Sequence, residues 1–349
     1  MPPCSRVFLC ATSPGVRYSE PLGYPRGSEY LTPGLAIKTN MNEIRHVSVL
    51  PDEVLHWLDP QPGQIVVDAT AGVGGHSARL WERIQPGGTL IALDQDPAML
   101  ALAKQRLPDP RILWQHANFE DLPGVLDELK LPAVDAILAD LGFCSDQLSD
   151  PQRGFSFQSD GPLDMRLDPT RGEPVSALLR RLAEKDLADI FWQYGEERFS
   201  RRVAKVIVET RKETPIATTG QLADLVRRCV PRSRGHSIDP ATRVFQALRI
   251  AVNDELGALE RLLDVVPDCL KSGGKVAIIS FHSLEDRIVK QAFRKRPELV
   301  KELTRKPVQA SAEEMRNNPR SRSAKLRVAI RSQESGVSDL TADSWGEGT

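Results

Sequence analysis

What this chain lacks narrows it before any motif does. No apolar run reaches the ~18–20 residues that a membrane span needs, so a membrane protein is not expected. The five cysteines, Cys4, Cys10, Cys144, Cys229 and Cys269, include no C-x-x-C pair, and the six histidines include no H-E-x-x-H. Neither a disulfide framework nor a metal site is therefore expected, and the thiols read as the reduced cysteines of a cytoplasmic chain. Net charge is nearly absent too, at −1. That total hides an uneven spread, because Arg and Lys concentrate in residues 198–234 and again in 294–331. A near-neutral sum does not exclude nucleic acid, since local basic stripes are what bind phosphate.

The first forty residues lack any sustained period. Pro2, Pro3, Pro14, Pro21, Pro25 and Pro33 alternate with Gly15, Gly23, Gly27 and Gly34, a composition that favours a disordered leader. The uninterrupted apolar core and charged start of a secretory signal are missing. Met41 opens the more regular "MNEIRHVSVLPDEVLHWL", so Met41 is expected to be the native start; the intact mass of the endogenous protein decides this.

At 349 residues the chain can hold a catalytic domain and a smaller second one. From residue 65 short β-branched runs alternate with amphipathic segments: 64–70, 89–96, 111–119 and 134–141, then 275–282 and 325–331. Strands separated by helices imply a parallel sheet with right-handed crossovers, a doubly wound α/β domain. Between the fourth and fifth runs the apolar residues fall at three- and four-residue spacings. The expected layout is a leader at 1–40, a first core segment at 41–147, an inserted all-helical domain at 148–242, a second core segment at 243–331 and a polar tail at 332–349. One long helix beginning near Thr242 is expected to stop at Gly273 and Gly274.

The stretch "IVVDATAGVGGHSARL", residues 65–80, is a strand ending in a carboxylate, a glycine turn and a helix start. Two phosphate cradles fail on missing letters. A P-loop requires a lysine that is absent here, and the dinucleotide fingerprint requires a third glycine where Ser77 stands. What remains is the S-adenosylmethionine (SAM) turn, an acid at the strand end followed by small residues and G-x-G, matched by Asp68, Gly72, Gly74 and Gly75. SAM carries no pyrophosphate; its carboxylate suits a helix N-terminus and its ammonium an acidic side chain. Asp94, ending the second strand, is placed to accept from both ribose hydroxyls. The competing reading is an ordinary glycine-rich turn with a solvated aspartate.

The fourth strand ends in "ADLGFCSDQL", and reacting groups in this topology sit beyond the carboxyl ends of strands. An exocyclic amine such as cytosine N4 is a poor nucleophile, and an acceptor on its N–H favours attack on a sulfonium methyl. Asp140 could supply that acceptor with the Leu141 carbonyl, most of the rate coming from positioning. Asp140-Leu141-Gly142-Phe143 has the register of the D-P-P-[YF] motif of amino-directed methyltransferases, in which the aromatic stacks on an extruded base. Asn118 and Phe119 could flank adenine, although Phe119 serves equally well as core. His76 could touch the cofactor or cap a turn. Cys144 as a nucleophile is disfavoured, because no Pro-Cys motif surrounds it.

Taken together, "HVSVLPDEVLHWL", "DATAGVGGHSARL", "LDQDPAMLALAKQRL", "ADLGFCSDQL", "RGFSFQSDGPLDMRLDPTRG", "YGEERFSRRVAKVIV", "PATRVFQALRIAVNDELGALE", "SFHSLEDRIVK" and "NPRSRSAKLR" resemble the bacterial 16S rRNA cytosine-N4 methyltransferases, from about His46 to Ile330. The resemblance implies a SAM-methyltransferase (Rossmann-like) sheet with an inserted helical domain, and SAM-dependent methylation of N4 of a decoding-centre cytosine in 16S rRNA. It places the cofactor on Gly74, Gly75, His76, Asp94, Phe119, Asp140 and Gln147. Asp140 thereby becomes partly a cofactor residue as well as the catalytic candidate. Phe143, Cys144 and Asp146 depart from the family's Val, Ser and Pro. An aromatic stack by Phe143 therefore cannot be essential to the mechanism.

On the substrate side, Arg198, Arg201, Arg202, Lys205, Arg227, Arg228, Arg232 and Arg234, with Arg320, Arg322, Lys325 and Arg327, could form a phosphate-tracking surface. The plainer reading pairs them with Glu196, Glu197 and Glu209 as solvated helix faces. The expected partner is 16S rRNA within the assembled small ribosomal subunit, with a flipped cytosine and no membrane; a homodimer is compatible with the sequence. Two rivals stand beside this reading: an amino-methyltransferase acting on DNA or protein, and a non-catalytic SAM-binding assembly factor.

Overall fold

The structure, a computed structural model, describes residues 47–231 and 239–333. The leader, Met41, Arg232, Arg234 and most of the polar tail lie outside the described residues. In chain order the first half of the sheet domain comprises α1 (Pro51–Leu58), β1 (Ile65–Asp68), α2 (Gly75–Ile84), β2 (Thr89–Asp94), α3 (Pro97–Arg106), β3 (Leu113–His116), α4 (Leu122–Glu128), β4 (Val134–Asp140) and α5 (Ser145–Ser149). Helices follow: α6 (Val175–Arg181), α7 (Glu184–Gln193), α8 (Ser200–Glu213), α9 (Thr219–Cys229), α10 (Ala241–Asn253) and α11 (Glu255–Cys269). The chain then returns to the sheet through β5 (Leu270–Ser280), α12 (Ser283–Lys295), β6 (Val300–Glu302), α13 (Ala312–Asn317) and β7 (Lys325–Arg331).

The strands order as β3-β2-β1-β4-β5-β7-β6. Period-2 side-chain alternation buries both faces, as a sandwiched sheet requires. Val67, Ile91, Leu93, Ile137, Val276 and Ile278 meet α4, α11 and α12 on one side. Val66, Leu90, Ala92, Leu138, Ala277 and Ile279 meet α1 and α2 on the other. The sheet is not wholly parallel, however. β5, α12 and β6 form a crossover that leaves a one-strand gap, and β7 returns into it antiparallel to both neighbours. That return keeps the segment before Lys325 at the end of the sheet where β1, β4 and β5 terminate.

Two expectations about the helices are corrected. The long helix after Thr242 is broken at Asp254, whose left-handed backbone (φ 48°) ends α10 and starts α11. Gly273 and Gly274 do not stop a helix; they lie inside β5, where its pairing with β4 shifts register. α6 to α10 bury their own core around Phe191, Val203, Leu222, Val226, Val244 and Leu248, so this core runs past residue 242. Local rules place the helix starts: Asp96 accepts from Ala98 N–H ahead of Pro97, and Thr218 with Gln221 makes a capping box on α9.

Candidate active site

The β1 turn is held from below. Asp68 is fully buried, and its carboxylate accepts from Ser77 Oγ at 2.6 Å and from Thr70 N–H at 3.3 Å. Those bonds use Asp68 to fix the strand-to-helix turn, and it does not line the cleft above. The expected acceptor for the methionine ammonium is thus corrected to a structural anchor. Gly74 is likewise set back. With φ +82° it turns the chain into α2, and a Cβ there would meet Ala103 of α3 and Leu107 just past that helix at 3.4 Å. Gly75 does line the cleft, and a Cβ on it would fall 2.1 Å from Ser48 Oγ.

A cleft of about 460 Å³ opens at the carboxyl ends of β1, β2, β4 and β5, where ligands bind in doubly wound sheets. It brings together Gly75, His76, Asp94, Phe119, Asp140 and Gln147. Asp94 faces it while bracing two turns: Oδ2 accepts from Gly72 N–H at 2.7 Å and Oδ1 from Asp96 N–H at 2.8 Å. Burial pushes the Asp94 carboxyl up to about 7 despite those two bonds, with Asp96 and Asp68 adding repulsion. Phe119 serves as both core and cleft wall. Asn118 is half-buried on the same wall, accepting from Glu120 N–H at 3.3 Å and donating to Gln95 at 3.3 Å.

Gln147 belongs to a network whose centre the sequence reading missed. Its Oε1 accepts from Cys144 N–H and its Nε2 donates to the buried Asp96, each at 2.8 Å. Asp96 Oδ2 also takes Arg153 Nη1 at 2.6 Å, and Arg153 Nη2 donates to the Arg166 and Leu167 carbonyls, both at 3.0 Å. One carboxylate therefore ties α3, α5 and the "LDMRL" loop together. Asn253 closes the far side, accepting from Leu167 N–H at 2.7 Å and donating to Met165 O at 2.8 Å. The only sequence signal for Asp96 was its place before Pro97; Arg153 is 57 residues away.

The β4–β5 end differs in chemistry. His76 Nε2 lies 3.5 Å from Asp140 Oδ2. Burial opposes charge on His76, but Asp140 and then Asp68 outweigh it and raise its pKa above the ordinary value. Among the described residues the buried His76 Nε2, Asp140 Oδ1 and His282 Nε2 have no hydrogen-bond partner, though Glu285 Oε1 lies 3.2 Å from His282 Nε2, and all three residues line the cleft. A buried polar atom left unpaired costs about 1–3 kcal/mol, so a ligand with complementary donors and acceptors recovers that cost. His282 caps α12, and Glu285 behind it accepts from Phe281 N–H at 2.7 Å.

Phe143 is not an open stacking platform. Its ring stacks on Phe155 at 5.5 Å and 8°, with the Arg249 guanidinium over it at 4.6 Å and Arg320 at 5.8 Å. Arg249 is itself clamped by Glu255 through two bonds of 2.8 Å. Cys144 packs with Val73 and Met99, and burial pushes its thiol up to about 11, which leaves it inert at neutral pH.

The basic residues divide. Arg327 is buried in β7 against Asp286 at 2.7 Å and Glu302 at 3.2 Å, and Lys325 reaches Asp286 at 3.6 Å. Arg227 pairs with Asp239 and Asp224 at 3.0 Å, and Lys205 with Glu209 at 3.8 Å. These residues are internal or locally neutralised, contrary to a shared phosphate surface. Arg198, Arg201 and Arg202 are exposed on and just before α8, beside Trp192 and Phe199, which are 59% and 39% exposed. Arg320 faces the cleft, half-buried, with burial lowering its pKa.

A sequence profile described as the MraW methylase family matches residues 43–332. The chain is 49% identical over 302 residues to the ribosomal RNA small subunit methyltransferase H of Rhodopirellula baltica, covering 83% of this chain and 92% of that protein. It is 50% identical over 289 residues to the protein of the same name from Sorangium cellulosum, covering 82% and 91%. The Synechocystis protein of that name is 48% identical over 305 residues, covering 85% and 97%.

Proposed function

The chain belongs to the MraW methylase family, and from that premise we propose that it methylates the N4 amino group of a decoding-centre cytosine in 16S rRNA, using SAM. The observation that carries this reading is the set of unpaired buried atoms on His76, Asp140 and His282 at one end of a cleft whose other end has the features of a SAM site. When bound, SAM supplies an electrophilic methyl group on sulfonium. The residues present fit it: Asp94 for the ribose hydroxyls, Phe119 with Asn118 for the adenine, and Gly75 on the cleft wall, where the absent Cβ leaves room for Ser48 Oγ. Gln147 acts through Asp96 to fix the loop above them.

Asp140 is the catalytic candidate. Its Oδ1 accepts from the N4–H bond, which holds the amine in line and favours build-up of electron density on nitrogen. His76 restrains Oδ2, and Thr70 Oγ1 fixes the backbone by accepting from Asp140 N–H at 2.7 Å. These contacts are made in advance, so little reorganisation accompanies transfer.

The helical layer α6–α10 and its exposed Arg198, Arg201 and Arg202 supply the RNA side of the proposal, with Arg320 receiving a phosphate near the target nucleotide. The assembled small subunit is the favoured substrate, and a cytoplasmic location goes with it; a homodimer is compatible and is read by light scattering. Because the relatives carry ribosomal RNA in their names, DNA, protein and non-catalytic readings are not favoured. Undermethylated small subunits incubated with labelled SAM should yield N4-methylcytidine by nucleoside mass spectrometry. Its absence would overturn the proposal.

A further inference from the structure

His282 enters no step of the function so far, yet it lines the same cleft as Asp140, just past the end of the neighbouring strand. β4 and β5 are parallel neighbours, Asp140 lies opposite Ile279, and Leu141 N–H donates to Ile279 O at 3.0 Å. Adjacent strands lie ~4.8 Å apart, so side chains just past their ends can reach one aromatic ring. Gly142, two residues beyond Asp140, faces the Phe281 ring, 3.6 Å from where a Cβ would stand.

The hydrogen bonds of His282 fix which nitrogen carries the proton. Nδ1 accepts from Glu285 N–H at 3.4 Å, so in the neutral ring the proton sits on Nε2. Glu285 Oε1 lies 3.2 Å from Nε2 as an ion-pair contact, and among the described residues Nε2 has no hydrogen-bond partner. Glu285 is held in turn by Phe281 N–H at 2.7 Å and His282 N–H at 3.3 Å, which restrains the ring. The cleft thus presents an unpaired acceptor, Asp140 Oδ1, and an unpaired donor, His282 Nε2–H.

That order is the complement of one base edge. Cytosine offers a donor at N4 and an acceptor at ring N3; uracil offers an acceptor at O4 and a donor at N3. We infer that His282 reads the target base, its Nε2–H donating to cytosine N3 while Asp140 Oδ1 accepts from N4–H. The pair admits cytosine and sets like against like for uracil, leaving two buried groups unpaired. Adenine shares the cytosine order, so its exclusion falls to the walls of the cleft. This role rests on the cytosine reading above and adds to it a second substrate contact.

Two variants separate base reading from helix capping. His282→Asn places an acceptor where Nδ1 stands and keeps the cap on α12, but cannot reach the Nε2 position. His282→Gln returns an N–H donor near Nε2. With small subunits as substrate, His282→Asn should lower kcat/KM on the order of 10- to 100-fold, the effect of one lost contact with its partner left unpaired. SAM affinity by calorimetry and the melting temperature should match the native chain, and His282→Gln should recover most of the loss. Native-level transfer by His282→Asn overturns the assignment. So does a loss accompanied by an equal fall in SAM affinity or stability, with no recovery in Gln. Wild-type protein run alongside must form N4-methylcytidine; if it forms none, the cytosine reading itself has failed.

Discussion

The two ends of the cleft are built on opposite principles. At the β1–β2 end every carboxylate already has partners: Asp68 holds Ser77 and Thr70, Asp94 holds two backbone N–H groups, and Asp96 holds Gln147 and Arg153. At the β4–β5 end, among the described residues, Asp140 Oδ1, His76 Nε2 and His282 Nε2 are buried without a hydrogen-bond partner, the two histidines lying only in ion-pair range of Asp140 and Glu285. A cofactor must be bound in the same pose turnover after turnover, and a surface braced by its own bonds does that. A reacting amine needs groups that gain their partner only when substrate arrives, which is where binding energy can serve the transition state.

Breaking each end should therefore give different losses. The largest is expected for Asp140→Ala, a fall in kcat of about 10²–10³-fold, read by methyl transfer to small subunits. Retained turnover would remove Asp140 from catalysis. Arg153→Ala comes next, in stability: it strips a cation from the fully buried Asp96 and should cost about 3 kcal/mol, measured by urea unfolding, with weaker SAM binding.

The two ends also differ in their response to pH. If ribose hydroxyls donate to the ionised Asp94, as proposed, SAM binding requires a carboxyl that titrates near 7 to lose its proton. Affinity should rise about tenfold from about pH 6 to about pH 8, and Asp94→Asn should abolish the slope. In the free protein the sign is reversed. A folded pKa raised above the unfolded value gives stability that is fully present below the ordinary value of 3.8 and lost as pH rises through about 7. The smallest effect is expected for Phe143→Val, which removes the contacts with Phe155 and Arg249. About 1 kcal/mol of stability should go while turnover stays within about threefold of native, because the ring is packed against protein rather than held free for a base.

Much of the β1–β2 end was legible in the sequence because its signals are local. β-branched runs mark β1, β2 and β4, and a carboxylate ends each of those strands. What failed was whatever depends on distant partners. Asp68 reads as a ligand group until Ser77 is seen to occupy it. Arg327 reads as an RNA contact until Asp286 and Glu302 close around it. Gly273 carries the same letter whether it ends a helix or shifts a strand register, and the three residues of β6 are too few to show a period. His282 sat inside the "SFHSLEDRIVK" motif without a role, since the role proposed for it depends on sharing a cleft with Asp140, which lies on another strand 142 residues earlier.

Single-turnover methylation at saturating SAM, run on Asp94→Asn and Asp140→Ala side by side, tests this division most directly. If the braced end only binds, Asp94→Asn recovers a near-native rate once SAM is saturating, while Asp140→Ala stays slow however much SAM is added. Equal recovery of both variants, or of neither, would contradict it.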